Sequence, residues 1–308
     1  MRIAVMGAGG VGGYFGGYLA AAGHDVTFVA RGAHLEAMRA RGLRLTGARG
    51  DIEVPRVQAV ERPEGPASDV VLFCVKLYDT EAAGRLIAPL VGPQTLVIGL
   101  QNGVDGPERL AALYGADRVL GGAAYVSARI AEPGVVSYTS AMSSIAFGRF
   151  DGTVTPAMQA FAAACEEAGF GAQISDDIEA TLWSKLLLLS TNAALSCLSR
   201  CYVAAVYRDP DLHAAAVASM REIQAVARAR GIEVGDAAIE QAVALSQGYP
   251  DDMTTSMHHD LMAGRRLELD SLAGYVVREG ERLGVPTPVN RVAWAALKPY
   301  LNGSPAPR

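Results

Sequence analysis

Long apolar runs are absent from this sequence. Half of its 308 residues are hydrophobic, yet no run reaches the ~18 residues that a membrane span requires. No membrane partner is expected. Positive charge is not in excess either. The net charge is −5, so neither nucleic acid nor an anionic membrane surface is an expected partner. Cysteine is scarce: Cys74, Cys165, Cys197 and Cys201 form no C-x-x-C pair. That argues for reduced thiols in a cytoplasmic protein. Cys197 and Cys201 lie one helical turn apart, but a metal site needs more ligands nearby, and none is expected. A charged and apolar leader before the first strand is also lacking, so no signal peptide is expected. Internal repeats and long linkers are missing as well. The length suits two domains.

Glycine, by contrast, is concentrated at the N-terminus. Arg2 to Met6 is a short apolar run, as a buried strand would be. Gly7, Gly9 and Gly12 follow with the spacing G-x-G-x-x-G, and Val11, Tyr14, Phe15 and Leu19 recur at helical spacing up to Gly23. His24 to Ala30 is a second β-branched run. Strand, glycine turn, helix and strand in this order form a dinucleotide-binding signature. The first glycine permits the tight turn, the second admits a pyrophosphate to the backbone, and the third lets helix and strand pack closely. Gly7, Gly9, Gly10, Val11 and Gly12 are therefore candidate cofactor contacts. Arg31 follows the second strand. An acidic residue there would bind a free ribose 2′-hydroxyl, whereas an arginine suits a 2′-phosphate; Asp25 comes too early for that role. NADP(H) is thus favoured over NAD(H), with a solvated loop charge as the alternative for Arg31.

Further along, Leu43–Thr46 and Asp51–Val54 read as two short strands around Gly47 to Gly50, a hairpin or an irregular insertion. Asp69 to Val75 and Thr95 to Leu100 read as parallel strands covered on both faces. Lys76 and Asn102 stand at their carboxyl ends, where ligands bind in open α/β sheets. Surface capping by the lysine and an ordinary Asn-Gly turn are the competing readings. Thr80 to Leu90 reads as a helix. Val119–Val126, Val135–Tyr138 and Ser144–Phe150 are expected to extend the sheet, with a turn at Pro133-Gly134. A helix over Pro156 to Gly169 and a last strand at Gln173 to Ser175 complete this half.

After Asp176 the pattern is helical: Ile178–Leu198, Val203–Arg230, Ala237–Tyr249, Met253–Ala263, Leu267–Leu283 and Val289–Leu301. Gly231, Gly264 and Gly284 serve as stops. The alanine-rich faces of Val203 to Ala229 are open to packing within the chain or against a second copy, so a homodimer is among the expectations. Gly303 to Arg308 read as a frayed tail. The expected class is α/β, with a domain over residues 1–175 and an all-α domain over residues 176–308.

Lys185 lies in a segment that is apolar on nearly every side, Leu182 to Leu189. A charge there is costly without a partner or a task. At ~3.6 residues per turn, Asn192 and Ser196 fall within a narrow arc of it, one polar stripe that suits a cleft wall. Such a lysine could act as general acid toward a ketone oxygen; a snorkelling lysine is the alternative.

These features together resemble the 2-dehydropantoate 2-reductase (ketopantoate reductase) family over nearly the whole chain. The resemblance rests on Gly7-x-Gly9-x-x-Gly12 with Gly16, Arg31, Val75-Lys76, Gln101-Asn102-Gly103 and Trp183-x-Lys185-Leu186. It rests equally on Ser256-Met257-x-x-Asp260-x-x-x-Gly264-Arg265-x-x-Glu268. It implies a Rossmann-type doubly wound N-terminal domain that binds NADPH and a C-terminal helical domain that completes a cleft for a small 2-oxo acid. By residue, it implies Arg31 and Lys76 on the cofactor phosphate side and Asn102 near nicotinamide and substrate. Lys185 would be the general acid, Ser256 a substrate ligand and Glu268 a partner in the active-site hydrogen bonds. Two departures concern the substrate: family members commonly carry asparagines where this chain has Leu189 and Ala193. Asn192 is shifted by one and is taken as a substitute substrate contact. His258 and His259, close to Ser256, are read as solvated helix-surface side chains, with a catalytic role as the alternative.

The joint assignment of Ser256 and Glu268 carries a geometric condition. Twelve residues of unbroken helix span about 18 Å, too far for one small substrate. The helix must therefore break between them, and Gly264 is placed to end it. Ser256 at a helix start could alternatively be a capping residue.

Overall fold

The computed structural model describes residues 1–139 and 142–304. The chain folds into two compact units. One comprises Met1–Gln101 and Asp105–Ile178; the other comprises Asn102–Val104 and the chain from Glu179 onward.

In the first unit the chain runs β1 (Arg2–Met6), α1 (Gly10–Ala21), β2 (Asp25–Val29), α2 (Gly32–Arg41), β3 (Leu43–Gly47), β4 (Ile52–Val54), β5 (Gln58–Val60) and β6 (Val70–Phe73). It continues through α3 (Thr80–Ile87), β7 (Leu96–Gly99), α4 (Gly106–Tyr114), β8 (Val119–Tyr125), β9 (Ala128–Glu132), β10 (Val135–Tyr138), β11 (Ser144–Gly148), α5 (Pro156–Glu167) and β12 (Gly171–Ile174). Eight strands form one sheet in the order β12-β11-β8-β7-β6-β1-β2-β5. All pairings are parallel except β11 with β8. From β1 the chain winds toward β2 on one side and toward β6, β7 and β8 on the other. The order reverses beside β1, so the crevice beyond its carboxyl end is the switch point of a doubly wound, Rossmann-type sheet. β6 and β7 are buried at every position, as strands covered on both faces must be.

The expectation that all the later strands extend this sheet is corrected. β8 and β11 do. β10 instead joins a second, four-stranded sheet of order β4-β3-β10-β9. Its neighbour β9 has no sequence expectation behind it, and Pro133-Gly134 turns between β9 and β10.

The run of glycines explains how both sheets meet one helix. A Cβ on Gly12 or Gly16 would lie within 2.8 Å of Val5, a strand residue of the main sheet. A Cβ on Gly13 would lie 2.8 Å from Val136, and on Gly17 3.0 Å from Leu45, both of the second sheet. Rows four residues apart share a helix face. Two bare faces therefore let α1 lie close to both sheets, with Tyr14, Phe15, Tyr18 and Leu19 also buried.

The second unit holds α6 (Ile178–Ser199) from Glu179 onward, α7 (Val203–Arg208), α8 (Pro210–Ala229), α9 (Asp236–Gln247), α10 (Ser256–Met262), α11 (Ala273–Leu283) and α12 (Pro288–Leu297). The single helix expected over Val203–Arg230 is broken. Asp209 caps α8, its carboxylate accepting from the N–H groups of Asp211 at 3.0 Å and Leu212 at 2.9 Å, and Pro210 opens the helix. Asp-Pro is a strong start signal. The apolar residues of this stretch, including Val206, Ala216, Ile223 and Val226, pack into the core of this unit. Within α8, Glu222 is buried. It accepts from the backbone of Val289 at 2.8 Å and Asn290 at 3.0 Å, and so caps α12.

Of the expected frayed tail, residues 305–308 lie outside the described residues. Gly303 and Ser304 are held: their N–H groups donate to Tyr300 O at 3.0 Å and Gly264 O at 3.3 Å. All four cysteines are free thiols. No helix among the described residues is long and apolar enough to cross a membrane.

Candidate functional site

The functional candidates fall into two sets, one on each unit. The first surrounds the glycine turn after β1. Gly7 has φ +93°, a conformation that L side chains rarely adopt, and the N–H groups of Gly7 and Ala8 both donate to Val29 O at 3.2 Å. The turn is thereby tied to the carboxyl end of β2. Gly12 would place a Cβ 2.2 Å from Gly7 O, and Gly10 would place one 2.1 Å from Ala128 O. Gly9 differs: a Cβ there would meet nothing within 4 Å. It is also the N-cap of α1 and has no side chain to bond the first-turn N–H groups. An open glycine before an uncapped helix start, whose dipole end is positive, fits the pyrophosphate of a dinucleotide. Among Gly7, Gly9, Gly10, Val11 and Gly12, then, Gly7, Gly10 and Gly12 shape the turn and Gly9 leaves it open.

Arg31 lies just beyond β2, at the N-cap of α2, with its side chain 87% exposed. Its guanidinium faces Asp79 at 3.7 Å. Lys76 lies just beyond β6 and begins a short 3₁₀ turn, Leu77–Asp79. Gln101 anchors this loop: its amide donates to Val75 O at 3.0 Å and to Thr80 Oγ1 at 2.9 Å. The role of Gln101 has a visible sequence context, next to Asn102, but nothing in the sequence reveals its partners.

The second set belongs to the helical unit. Asn102 is grouped there, and Val104, two residues on, packs against the helical core. Lys185 sits in the first half of α6, between Trp183 and Leu186, which are buried in that core. The residue as a whole is only partly buried. Burial of its ammonium nonetheless pushes its pKa down to about 8, against the Glu268 carboxylate, whose charge raises it. Glu268 itself is 4% exposed.

The condition on Ser256 and Glu268 is met within this unit. α10 ends at Met262, Gly264 has φ +63°, and Arg265 N donates to Asp260 O at 2.8 Å. Arg265 Nε also bonds the Asp260 carboxylate at 2.8 Å, clamping the turn. Leu267 N then donates to Leu301 O at 2.9 Å, and Glu268 starts the next short 3₁₀ turn. Ser256 does not cap α10. That role belongs to Thr255, whose Oγ1 accepts from His258 N at 3.2 Å. Ser256 is exposed.

Two sequence readings are corrected here. Asn192 is 4% exposed. Its Oδ1 accepts from Tyr207 Oη at 2.6 Å and its Nδ2 donates to Ser246 Oγ at 2.9 Å. The helical arc gave its direction correctly but not its neighbours: α7 and α9 occupy that side and take both ends of the amide. Ser196 is likewise buried, 3.3 Å from Thr255 Oγ1. The polar stripe beyond Lys185 is engaged between helices. His258 is buried, not solvated, and that burial together with nearby His259 and Arg200 lowers its pKa. His259 is exposed and lies 2.6 Å from Thr254 Oγ1. Leu189 and Ala193 pack on or in the helical core. Among the described residues, no cluster of His, Cys, Asp and Glu could hold a metal ion.

Comparison with known proteins places these two sets in one family. The model of "Ketopantoate reductase PanE/ApbA" matches residues 3–152, and that of its C-terminal domain matches residues 177–301. The chain is 33% identical over 312 residues to the 2-dehydropantoate 2-reductase of Mesorhizobium japonicum, covering 94% of each. The crystal structure of a PanE/ApbA family ketopantoate reductase from Ralstonia eutropha JMP134 is 35% identical, with a TM-score of 0.89 over 97% of this chain and 98% of that one. The structure of 2-dehydropantoate 2-reductase from Geobacter metallireducens GS-15 is 30% identical, with a TM-score of 0.91 over 97% and 99%. With both halves matched and the helix break where the motif demands it, the chain belongs to the ketopantoate reductase family, as an oxidoreductase of the 2-dehydropantoate 2-reductase type that acts on CH–OH groups and reduces a 2-oxo acid.

Proposed function

We propose that the protein reduces the 2-keto group of 2-dehydropantoate to pantoate, a step of pantothenate synthesis, with NADPH as reductant. The observation that carries this reading is Lys185: an ammonium whose pKa is pushed to about 8 by burial, with a buried carboxylate, Glu268, favouring its charged form. A general acid works best when its pKa lies near the operating pH. A nicotinamide dinucleotide held at the glycine turn would supply the hydride. As the keto carbon is reduced, negative charge gathers on its oxygen, and the Lys185 Nζ donates a proton there. Glu268 keeps that lysine protonated in the resting protein. Asn102 and Ser256 are assigned to hold the substrate, Ser256 because its hydroxyl is exposed and relieved of capping. Gly9 with its open backbone receives the pyrophosphate, and Lys76 and Arg31 serve the phosphate side, Arg31 toward the 2′-phosphate.

A second reading, reduction of another 2-oxo acid or a ketone, is favoured by Leu189 and Ala193. These apolar side chains stand where family members commonly carry amides, and polar substrate groups lose partners there. We also place the protein in the cytoplasm, where its free thiols stay reduced. Burial lifts the Cys74 and Cys197 thiols to about 12, so these two carry little thiolate at neutral pH.

The role of Lys185 is tested by the pH profile of the reduction. Only the protonated lysine donates, so kcat should be level below its pKa and fall about tenfold per pH unit above about 8. A profile flat to pH 10 would remove Lys185 from proton transfer.

A further inference from the structure

The guanidinium of Arg31 does not stand alone. It extends from the end of β2, while Asp79 extends from the loop after β6, and these two strands flank β1, whose carboxyl end carries the glycine turn. The ion pair at 3.7 Å joins the two flanking loops. The pair is solvent-facing, with Arg31 87% and Asp79 36% exposed, so it is weak and readily opened.

We propose that Asp79 is a specificity-determining residue that limits how strongly this protein prefers a 2′-phosphorylated dinucleotide. The inference rests on the reading of Arg31 as the 2′-phosphate contact. A phosphate drawn to Arg31 must displace the Asp79 carboxylate or sit beside it. Either way the dianion meets a like charge near its attractive partner. A dinucleotide with a free ribose 2′-hydroxyl brings no such charge, and a carboxylate accepts a hydrogen bond from that hydroxyl. Asp79 therefore penalises NADP+ and tolerates NAD+. Its backbone allows a clean test: the Asp79 N–H donates to Lys76 O at 2.9 Å whatever the side chain is. Asp79→Asn keeps shape and removes charge, and Asp79→Ser offers a second turn-forming residue.

The experiment is calorimetric titration of the full chain with NADP+ and with NAD+, without substrate, for wild type, D79N, D79S, R31A and the R31A/D79N pair. D79N and D79S are expected to tighten NADP+ about fivefold, the scale of a surface charge pair, and to change NAD+ by less than about twofold. The gain should shrink when Arg31 is alanine, because the phosphate is then no longer drawn toward Asp79. If R31A abolishes the preference for NADP+ while D79N and D79S leave it unchanged, the role of Asp79 is overturned and that of Arg31 stands. If R31A itself leaves the NADP+ to NAD+ ratio unchanged, the 2′-phosphate reading fails and the Asp79 inference fails with it.

Discussion

Lys185→Ala is expected to lower turnover at least about a hundredfold, the lower scale of acid–base contributions, while dinucleotide affinity stays within a few fold of wild type. The separation follows from the fold. The glycine turn, Arg31 and Lys76 belong to the N-terminal unit, and Lys185 to α6 of the helical unit. Removing the ammonium takes away a positive charge that interacts with the Glu268 carboxylate, which is 4% exposed. Breaking a buried charge interaction from one side is destabilising. A loss of turnover could then reflect a disturbed helical unit rather than a missing proton donor. The double variant K185M/E268Q separates the two, because it removes both charges and keeps both lengths. Thermal stability should recover in the double variant and turnover should not. Near-normal turnover in K185A would return Lys185 to a snorkelling side chain.

Arg31→Ala is expected to raise the Michaelis constant for NADPH roughly ten- to hundredfold, the range of a lost charge-assisted hydrogen bond, and that for NADH only slightly. The side chain is 87% exposed and its ion pair with Asp79 faces solvent, so little of the fold depends on it. An equal effect on both cofactors would refute the 2′-phosphate role. The sign of the asymmetry matters more than its size, since Asp79 already offsets part of the arginine's charge.

The sequence reveals most where a residue's role is local. Gly7, Gly9 and Gly12 could be assigned separate tasks because a positive φ, an open approach and a close contact are properties of the backbone itself. The stop at Gly264 was legible for the same reason, and so was the hairpin of β3 and β4. Non-local partners were not legible. Nothing in Val135–Tyr138 says that it pairs with β3 rather than with β8, since one short apolar strand suits either sheet. Gly13 and Gly17 acquire a purpose only once the second sheet is seen against α1. Asn192 shows the same limit on a helix. Periodicity fixed which way the amide points, but Tyr207 and Ser246, fifteen and fifty-four residues away, decide what it meets. The burial of His258 escapes a sequence reading because a short helix with Met257 and Leu261 turned inward also carries the neighbouring residue under cover.

The candidate catalytic pair was legible in part. A lysine within an apolar segment flags an unusual charge, yet the sequence alone left proton donor and snorkelling side chain undecided. What the structure adds is the cost of that charge and the carboxylate that offsets it. Leu189 and Ala193, apolar in the sequence, pack on or in the helical core, and the proposal of another 2-oxo acid or a ketone as acceptor rests on them.

The most direct test is therefore NADPH oxidation by the purified protein against a panel of 2-oxo acids that includes 2-dehydropantoate. The proposed function predicts that 2-dehydropantoate has the highest kcat/KM of the panel. Turnover of other 2-oxo acids without turnover of 2-dehydropantoate would contradict it.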